Sequence, residues 1–209
     1  MFKILLSVLL LSVISIASVA QKDWSAIEKE LYKKMEQKKI SSKEWYSKLK
    51  KEAGHFSRLS LWVKNEDDIV KKSSEKIQLY FPSNFQIVMP NGNKFAKVYL
   101  LNNTTDSVEI ARIDATLANV QEYFFVNNKW ITFRKNGTST CGNSYFKSKL
   151  APNRQLALEL NNEVLTDGKN KIPYKISILI GAQLIESNVI QVYLHNNQLR
   201  RMMTSVNEL

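Results

Sequence analysis

The chain has 209 residues, a formal net charge of +11 and a hydrophobic share of 44%. That share can build a core, which excludes global disorder, and the length suits one domain or one domain with a small appendage. A single cysteine, Cys141, excludes an internal disulfide, so the core must hold the fold unaided.

Residues 1–20 read as a cleavable secretory signal peptide. Lys3 gives the start a positive charge, an apolar run follows from Ile4 to Ile16, and Ala17-Ser18-Val19-Ala20 supplies the small residues of a cut after Ala20. The apolar run is shorter than the roughly 20 residues that a span requires. The mature protein is therefore expected to begin at Gln21, to be secreted or periplasmic, and to have no transmembrane segment once the signal is removed.

Residues 21–56 read as a helical hairpin. Trp24, Ile27, Leu31 and Met35 recur every three or four positions, with Asp23 as N-cap and Glu30 four residues before Lys34. After Ile40-Ser41-Ser42, a capping box of Ser41 and Glu44 starts a second helix that carries Trp45 and Leu49 and stops near Gly54. The narrow apolar stripe is expected to pack on the domain that follows. A partner-docking helix is the competing use.

From residue 57 to 196 the texture is that of strands. Period-2 sets occur at Ile77/Leu79/Phe81, Ala96/Val98/Leu100, Ile113/Ala115/Leu117, Leu156/Leu158/Leu160, Ile176/Ile178/Ile180 and Ile190/Val192/Leu194. Turn signals separate them at Pro90-Asn91-Gly92, Asn102-Asn103, Asn127-Asn128, Asn136-Gly137 and Asp167-Gly168. Seven to nine strands and no helix after Gly54 predict an antiparallel β-sandwich. The polar tail, 197–209, is left to fray or to form one short helix.

No motif points to a specific chemistry. Cys141 in Thr138-Ser139-Thr140-Cys141-Gly142-Asn143-Ser144 could act as a nucleophile only with a base, and His195 is the candidate in the strand-rich part, oriented by Asn143 or Asn188. Lone cysteines are commonly small buried hydrophobes instead. The two histidines, His55 and His195, lack metal-binding spacing. Glu66-Asp67-Asp68 lacks the order of a calcium loop and reads as a solvated turn. No catalytic, cofactor-binding or metal-binding residue is assigned, and no cofactor is expected. The aromatic run Glu122-Tyr123-Phe124-Phe125-Val126 and Trp130-Ile131-Thr132-Phe133 could stack on sugars, but Trp130 and its neighbours are expected to fill the space between sheets. The positive charge is spread along the chain and is carried by far more Lys than Arg. Specific phosphate or base recognition favours the bidentate guanidinium, so a solvated lysine-rich surface is expected and specific nucleic-acid binding is not.

The segment Val98-Tyr99-Leu100-Leu101-Asn102-Asn103-Thr104-Thr105-Asp106-Ser107-Val108-Glu109-Ile110, with Leu150-Ala151-Pro152 before Leu156, resembles extracytoplasmic immunoglobulin-like domains. Trp130 to Tyr145 is similar to uncharacterised exported proteins of Bacteroidota, whose export signals the Leu/Ser-rich start also resembles. The resemblance covers residues 94–195. It implies an immunoglobulin-like β-sandwich and carries no catalytic residues.

The expectation is thus an exported, non-catalytic binding or assembly module of the cell envelope, with an envelope protein or glycan as partner and peripheral surface association as a further mode. The alternative is an envelope hydrolase, either of the Cys141/His195 thiol type or carboxylate-based.

Overall fold

The computed structural model describes residues 23–56, 58–68, 76–90, 94–135, 138–160, 165 and 167–206. Residues 1–20, expected to be an export signal, and the expected cut after Ala20 lie outside the described residues, as do the turn signals at Asn91-Gly92 and Asn136-Gly137.

Helix α1 spans Trp24–Glu36 and helix α2 spans Ser42–Glu52. Their starts follow the capping pattern: the Asp23 carboxylate accepts from the Ala26 N–H at 3.0 Å, and the Ser41 hydroxyl accepts from the Glu44 N–H at 3.1 Å. Glu30 and Lys34 pair at 2.6 Å along α1. Gly54 follows α2 with φ +60°, a left-handed position suited to glycine, and the His55 N–H returns to the Leu49 carbonyl. Leu31, Leu49 and Ala53 are buried with Ile27 and Trp45 against them. The stripe therefore closes mainly on itself as a small separate core.

Thirteen strands follow among the described residues: β1 Leu61–Asp68, β2 Ile77–Tyr80, β3 Gln86–Val88, β4 Lys94–Asn102, β5 Val108–Ile113, β6 Thr116–Leu117, β7 Val120–Val126, β8 Lys129–Lys135, β9 Tyr145–Leu150, β10 Arg154–Leu160, β11 Asn170–Ile180, β12 Gln183–Glu186 and β13 Ile190–Leu194. They form two antiparallel sheets. The larger runs β2-β4-β10-β1-β6-β5-β9, with β3 also on β4; the smaller runs β12-β11-β7-β8, with β13 also on β11. Five of the six period-2 sets face inward as expected. Leu79, Leu100 and Leu156 lie in register across three strands, and Ile176, Ile178 and Val192 come from the smaller sheet into the same buried cluster.

Three expectations need correction. Ile113/Ala115/Leu117 is not one strand: Ile113 and Leu117 are both buried, but the chain turns between them through Asp114 at φ +50°, and the Thr116 hydroxyl caps the Ile113 carbonyl at 2.8 Å. Glu66-Asp67-Asp68 is not a turn. It ends β1, opposite Leu156, Gln155 and Arg154 of β10, with the Arg154 Nε 3.3 Å from Glu66 Oε1. The strands number thirteen among the described residues instead of seven to nine, because short β3, β6 and β12 carry no period-2 set of their own. The tail takes the helical one of its two expected forms: α3, Asn196–Val206, is an amphipathic segment that buries Met202 in the main core with Leu199 and Met203 against it.

Helix α3 also ties the hairpin to the sheets. The Asn197 side-chain amide donates to the Lys51 and Glu52 carbonyls at 2.9 and 3.0 Å, occupying free carbonyls at the end of α2. Arg201 pairs with Glu28 of α1 and donates to the Ala53 carbonyl at 3.2 Å, and Glu28 also bonds His55 Nδ1 at 3.0 Å. Burial pushes the Glu28 carboxyl up, but Arg201 and His55 together outweigh it and hold it below its ordinary value.

Two polar devices fix the sheets. Asn102, fully buried, donates to the Asp106, Leu150 and Ala151 carbonyls at 2.8, 3.0 and 3.1 Å and accepts from Thr104, drawing together the ends of β4, β5 and β9. The Asn188 amide makes a two-way bond to the Phe81 backbone, accepting its N–H at 2.7 Å and donating to its carbonyl at 3.1 Å. This links the end of β2 to the β12–β13 connection of the other sheet.

Replacing Gly54 by Ala should lower stability by at least about 1 kcal/mol, because an L residue is strained there and its Cβ would overlap the Asn197 carbonyl. Thermal unfolding, with limited proteolysis at the hairpin, measures the effect; a variant as stable and resistant as the parent would show that α2 and α3 do not pack this closely.

Candidate binding face

The smaller sheet presents the candidate site on its outer surface. Strands β7 and β8 are joined by Asn127 and Asn128, both with positive φ (52° and 61°), as a tight two-residue hairpin turn requires. The turn sets the register: Phe125 faces Trp130, Phe124 faces Ile131 and Tyr123 faces Thr132. Side chains alternate across a strand. Phe124 and Ile131 are buried, so Phe125 and Trp130 must point the other way.

Trp130 is accordingly 37% exposed and does not fill the space between sheets as the sequence suggested. The physical reason is its position opposite Phe125, one residue out of step with the buried Phe124/Ile131 pair. The two rings are in contact, with centroids 5.3 Å apart and planes at 57°. The inward aromatic positions are taken by Phe124, Phe133, Tyr174 and Phe56, whose rings meet at 4.8 to 6.3 Å.

Lys175 of β11 lies beside these rings. Its Nζ is 4.8 Å from the Trp130 ring centre and 5.5 Å from that of Tyr123, and it pairs with Glu186 of β12 at 2.7 Å. The Tyr123 hydroxyl donates to Gln121 at 3.0 Å and lies 3.2 Å from the Ser177 hydroxyl. The result is a mixed surface: exposed Trp130 and half-buried Phe125, flanked by the largely covered Lys175 ammonium, the Glu186 carboxylate and the Tyr123 phenol, with Ser177 fully buried.

Behind the face, on the inner side of the same strands, is a buried ionic cluster. Glu122 is fully buried and is held by Arg134 through both carboxylate oxygens, one contact at 3.1 Å, while the Tyr174 hydroxyl donates to it at 3.1 Å. Burial, and then the neighbouring Glu122, push the Tyr174 hydroxyl well above its ordinary value, so it stays a protonated donor. Arg134 lies 5.2 Å from the centre of the Phe56 ring. The cluster also accounts for a carboxylate in an otherwise aromatic run. It belongs to the core and is walled off from the face.

Cys141 and His195, the candidate nucleophile and base, sit in different connections of the chain. Cys141 is exposed in the connection from β8 to β9, where its N–H donates to the Ser139 hydroxyl at 3.3 Å and its carbonyl accepts from the Ser144 N–H. His195 is at the corner between β13 and α3, with Asp167, Lys50 and Lys51 as its charged neighbours, and it shares no hydrogen bond with Cys141 among the described residues. Asn143 is exposed on a single helical turn, and Asn188 is committed to Phe81. His55 is bound to Glu28. Among the described residues, no three His, Cys, Asp or Glu side chains are grouped to hold a metal ion, and no helix is long and apolar enough to cross a membrane.

Lys175 and Glu186 had no sequence signal of their own: each is a single charge in a strand. Trp130 had one, since the two-residue Asn-Asn turn already dictates its pairing with Phe125. In comparison with known proteins, the chain matches no family model and no curated protein.

Removing Arg134 (Arg134→Ala) strands the Glu122 charge and should cost about 3–5 kcal/mol, while Tyr174→Phe loses one donor to that charge and should cost about 1–3 kcal/mol. Urea unfolding checks both values and their order. Burial lowers the His195 ring below its ordinary value, with Asp167 opposing and Lys51 and Lys50 assisting. The unfolded chain therefore takes the proton first, and this contribution to stability is present above about pH 6.5 and is lost as the pH falls below it. His195→Gln should flatten the loss of stability between about pH 7.5 and 5.5, read as the difference in urea midpoints between parent and variant.

Proposed function

We propose that the protein is an exported, non-catalytic binding module of the cell envelope, and that its ligand is a glycan laid across the outer face of the smaller sheet. The observation that carries this reading is the contact pair of exposed Trp130 and half-buried Phe125, beside Lys175, Glu186 and Tyr123 on paired strands. Sugar rings present both apolar C–H patches and hydroxyl groups. An aromatic surface bordered by hydrogen-bonding groups complements both, and ring faces on a rigid sheet lose little freedom on binding.

The same reading takes residues 1–20 as the export signal, Gln21 as the mature start, and the strand region as an immunoglobulin-like sandwich akin to those of exported Bacteroidota proteins. Support for the fold comes from the Asn102 corner, where the Asn102-to-Asp106 turn and the Leu150-Ala151 segment that carried the sequence resemblance meet in one hydrogen-bond network. Fold alone assigns no ligand, so the function rests on the face.

The test is a glycan array and calorimetry on protein beginning at Gln21, using soluble oligosaccharides from bacterial envelope polysaccharides. Binding is expected, with Trp130→Ala weakening it at least about tenfold, as truncation of a central aromatic anchor does, while the fold is retained. Absence of glycan binding, or binding unchanged in Trp130→Ala, would overturn the assignment of this face.

A further inference from the structure

The connection between α1 and α2, residues 37–41, forms the tip of the helical hairpin. Helix α3 holds the hairpin at its other end, through Glu28, Lys51, Glu52 and Ala53. From Glu28 to the end of α1 at Glu36 the helix advances about 12 Å, so the tip stands well beyond those anchors. Its own backbone closes it: the Lys38 N–H donates to the Met35 carbonyl and the Lys39 N–H to the Lys34 carbonyl, both at 2.9 Å.

Residues 33–44 carry five lysines against two glutamates. Both glutamates are engaged, Glu44 with Lys48 at 3.4 Å and Glu36 with the Tyr32 phenol, which donates to it. Lys34 is paired with Glu30. Lys33, Lys38, Lys39 and Lys43 are exposed and form no ion pair among the described residues. Four ammonium groups thus surround one short connection without a counter-charge there.

Two of the four sit where the local backbone opposes them. Lys38 follows the end of α1 at φ +55°, a left-handed position that glycine or asparagine fills at lower cost. Lys43 is the second residue of α2, where the helix dipole disfavours a cation. Helix stability accounts for Lys33 and Lys34 in the last turn of α1, but it does not account for Lys38 or Lys43.

We propose that this tip docks on an anionic lipid surface. A lysine ammonium is a hydrated point charge that needs no fixed partner geometry. Anionic headgroups supply a diffuse negative potential that rewards the number of lysines near it, about fivefold in affinity for each. Ile40, partly exposed between Lys39 and Lys43, adds an apolar side chain to the basic tip, a combination that the boundary between headgroups and acyl chains accepts. A soluble polyanion offers nothing to Ile40. The inference goes beyond the glycan reading and shares no residue with the ring face, so either can fail alone.

The experiment is co-sedimentation with vesicles of phosphatidylglycerol and phosphatidylcholine in equal parts, and of phosphatidylcholine alone. The protein begins at Gln21, so that the apolar run from Ile4 to Ile16 adds no binding of its own. It should bind the anionic vesicles only and be released by about 0.5 M salt. Lys38→Gly and Lys43→Glu each remove a local conflict, so both should unfold at or above the parent's temperature. They should nevertheless weaken vesicle binding, by about fivefold and about twenty-five-fold for one and two charge units. Equal binding to neutral vesicles, or undiminished binding in either variant, would overturn the proposal. Tighter binding to soluble dextran sulfate than to the anionic vesicles would also overturn it, by assigning the tip to an anionic polysaccharide.

Discussion

The buried ionic cluster of Glu122, Arg134 and Tyr174 is the constraint on which the smaller sheet depends. A carboxylate without solvent is tolerable only if charge and hydrogen bonds replace its water. Here Arg134 supplies the charge and Tyr174 one donor, from the strands on either side of β7. That requirement fixes which face of β7 is inward. Once Glu122 and Phe124 are inside, Tyr123 and Phe125 have to be outside, and the two-residue turn carries the same choice to Trp130 on β8. The external face is thus a consequence of the internal cluster, held in register by it.

The helical layer stands in a different relation to the core. Helices α1 and α2 bury only a small cluster of their own, and the contacts that join them to the sheets pass through α3: Asn197 at the end of α2, Arg201 at Glu28, and Met202 in the main core. A layer with so few apolar contacts belongs to the low-stability end of a structure. Its attachment is also pH-dependent. Glu28 is held below its ordinary value, so its contribution is present above about pH 4.3 and is lost as the pH falls through the carboxylate range.

Much of the architecture was legible from period and punctuation. The caps at Asp23 and Ser41 and the stop at Gly54 are local chemistry, and each formed where the residues indicated. The inward sets of β4, β10, β11 and β13 were plain because apolar and polar residues alternate cleanly. Where both faces are apolar, alternation carries no frame: in Glu122 to Val126 every position except Glu122 could be core, and Trp130 was placed on the wrong side. The Ile113–Leu117 set failed for the opposite reason, since a tight turn at Asp114 brings residues four apart to the same core without an extended segment between them. The tail after Asn196 looked polar because its apolar residues, Leu199, Met202 and Met203, are few and acquire a face only as a helix against the sheets.

The central claim is that a rigid sheet, pinned from behind by the ionic cluster, presents the aromatic face already formed. Native-state hydrogen exchange on the free protein, beginning at Gln21, tests it most directly. The account predicts that the paired amides of β7, β8 and β11 exchange only through global unfolding, with α1 and α2 opening earlier and separately. Rapid local exchange across β7 and β8, at free energies well below that of global unfolding, would contradict it.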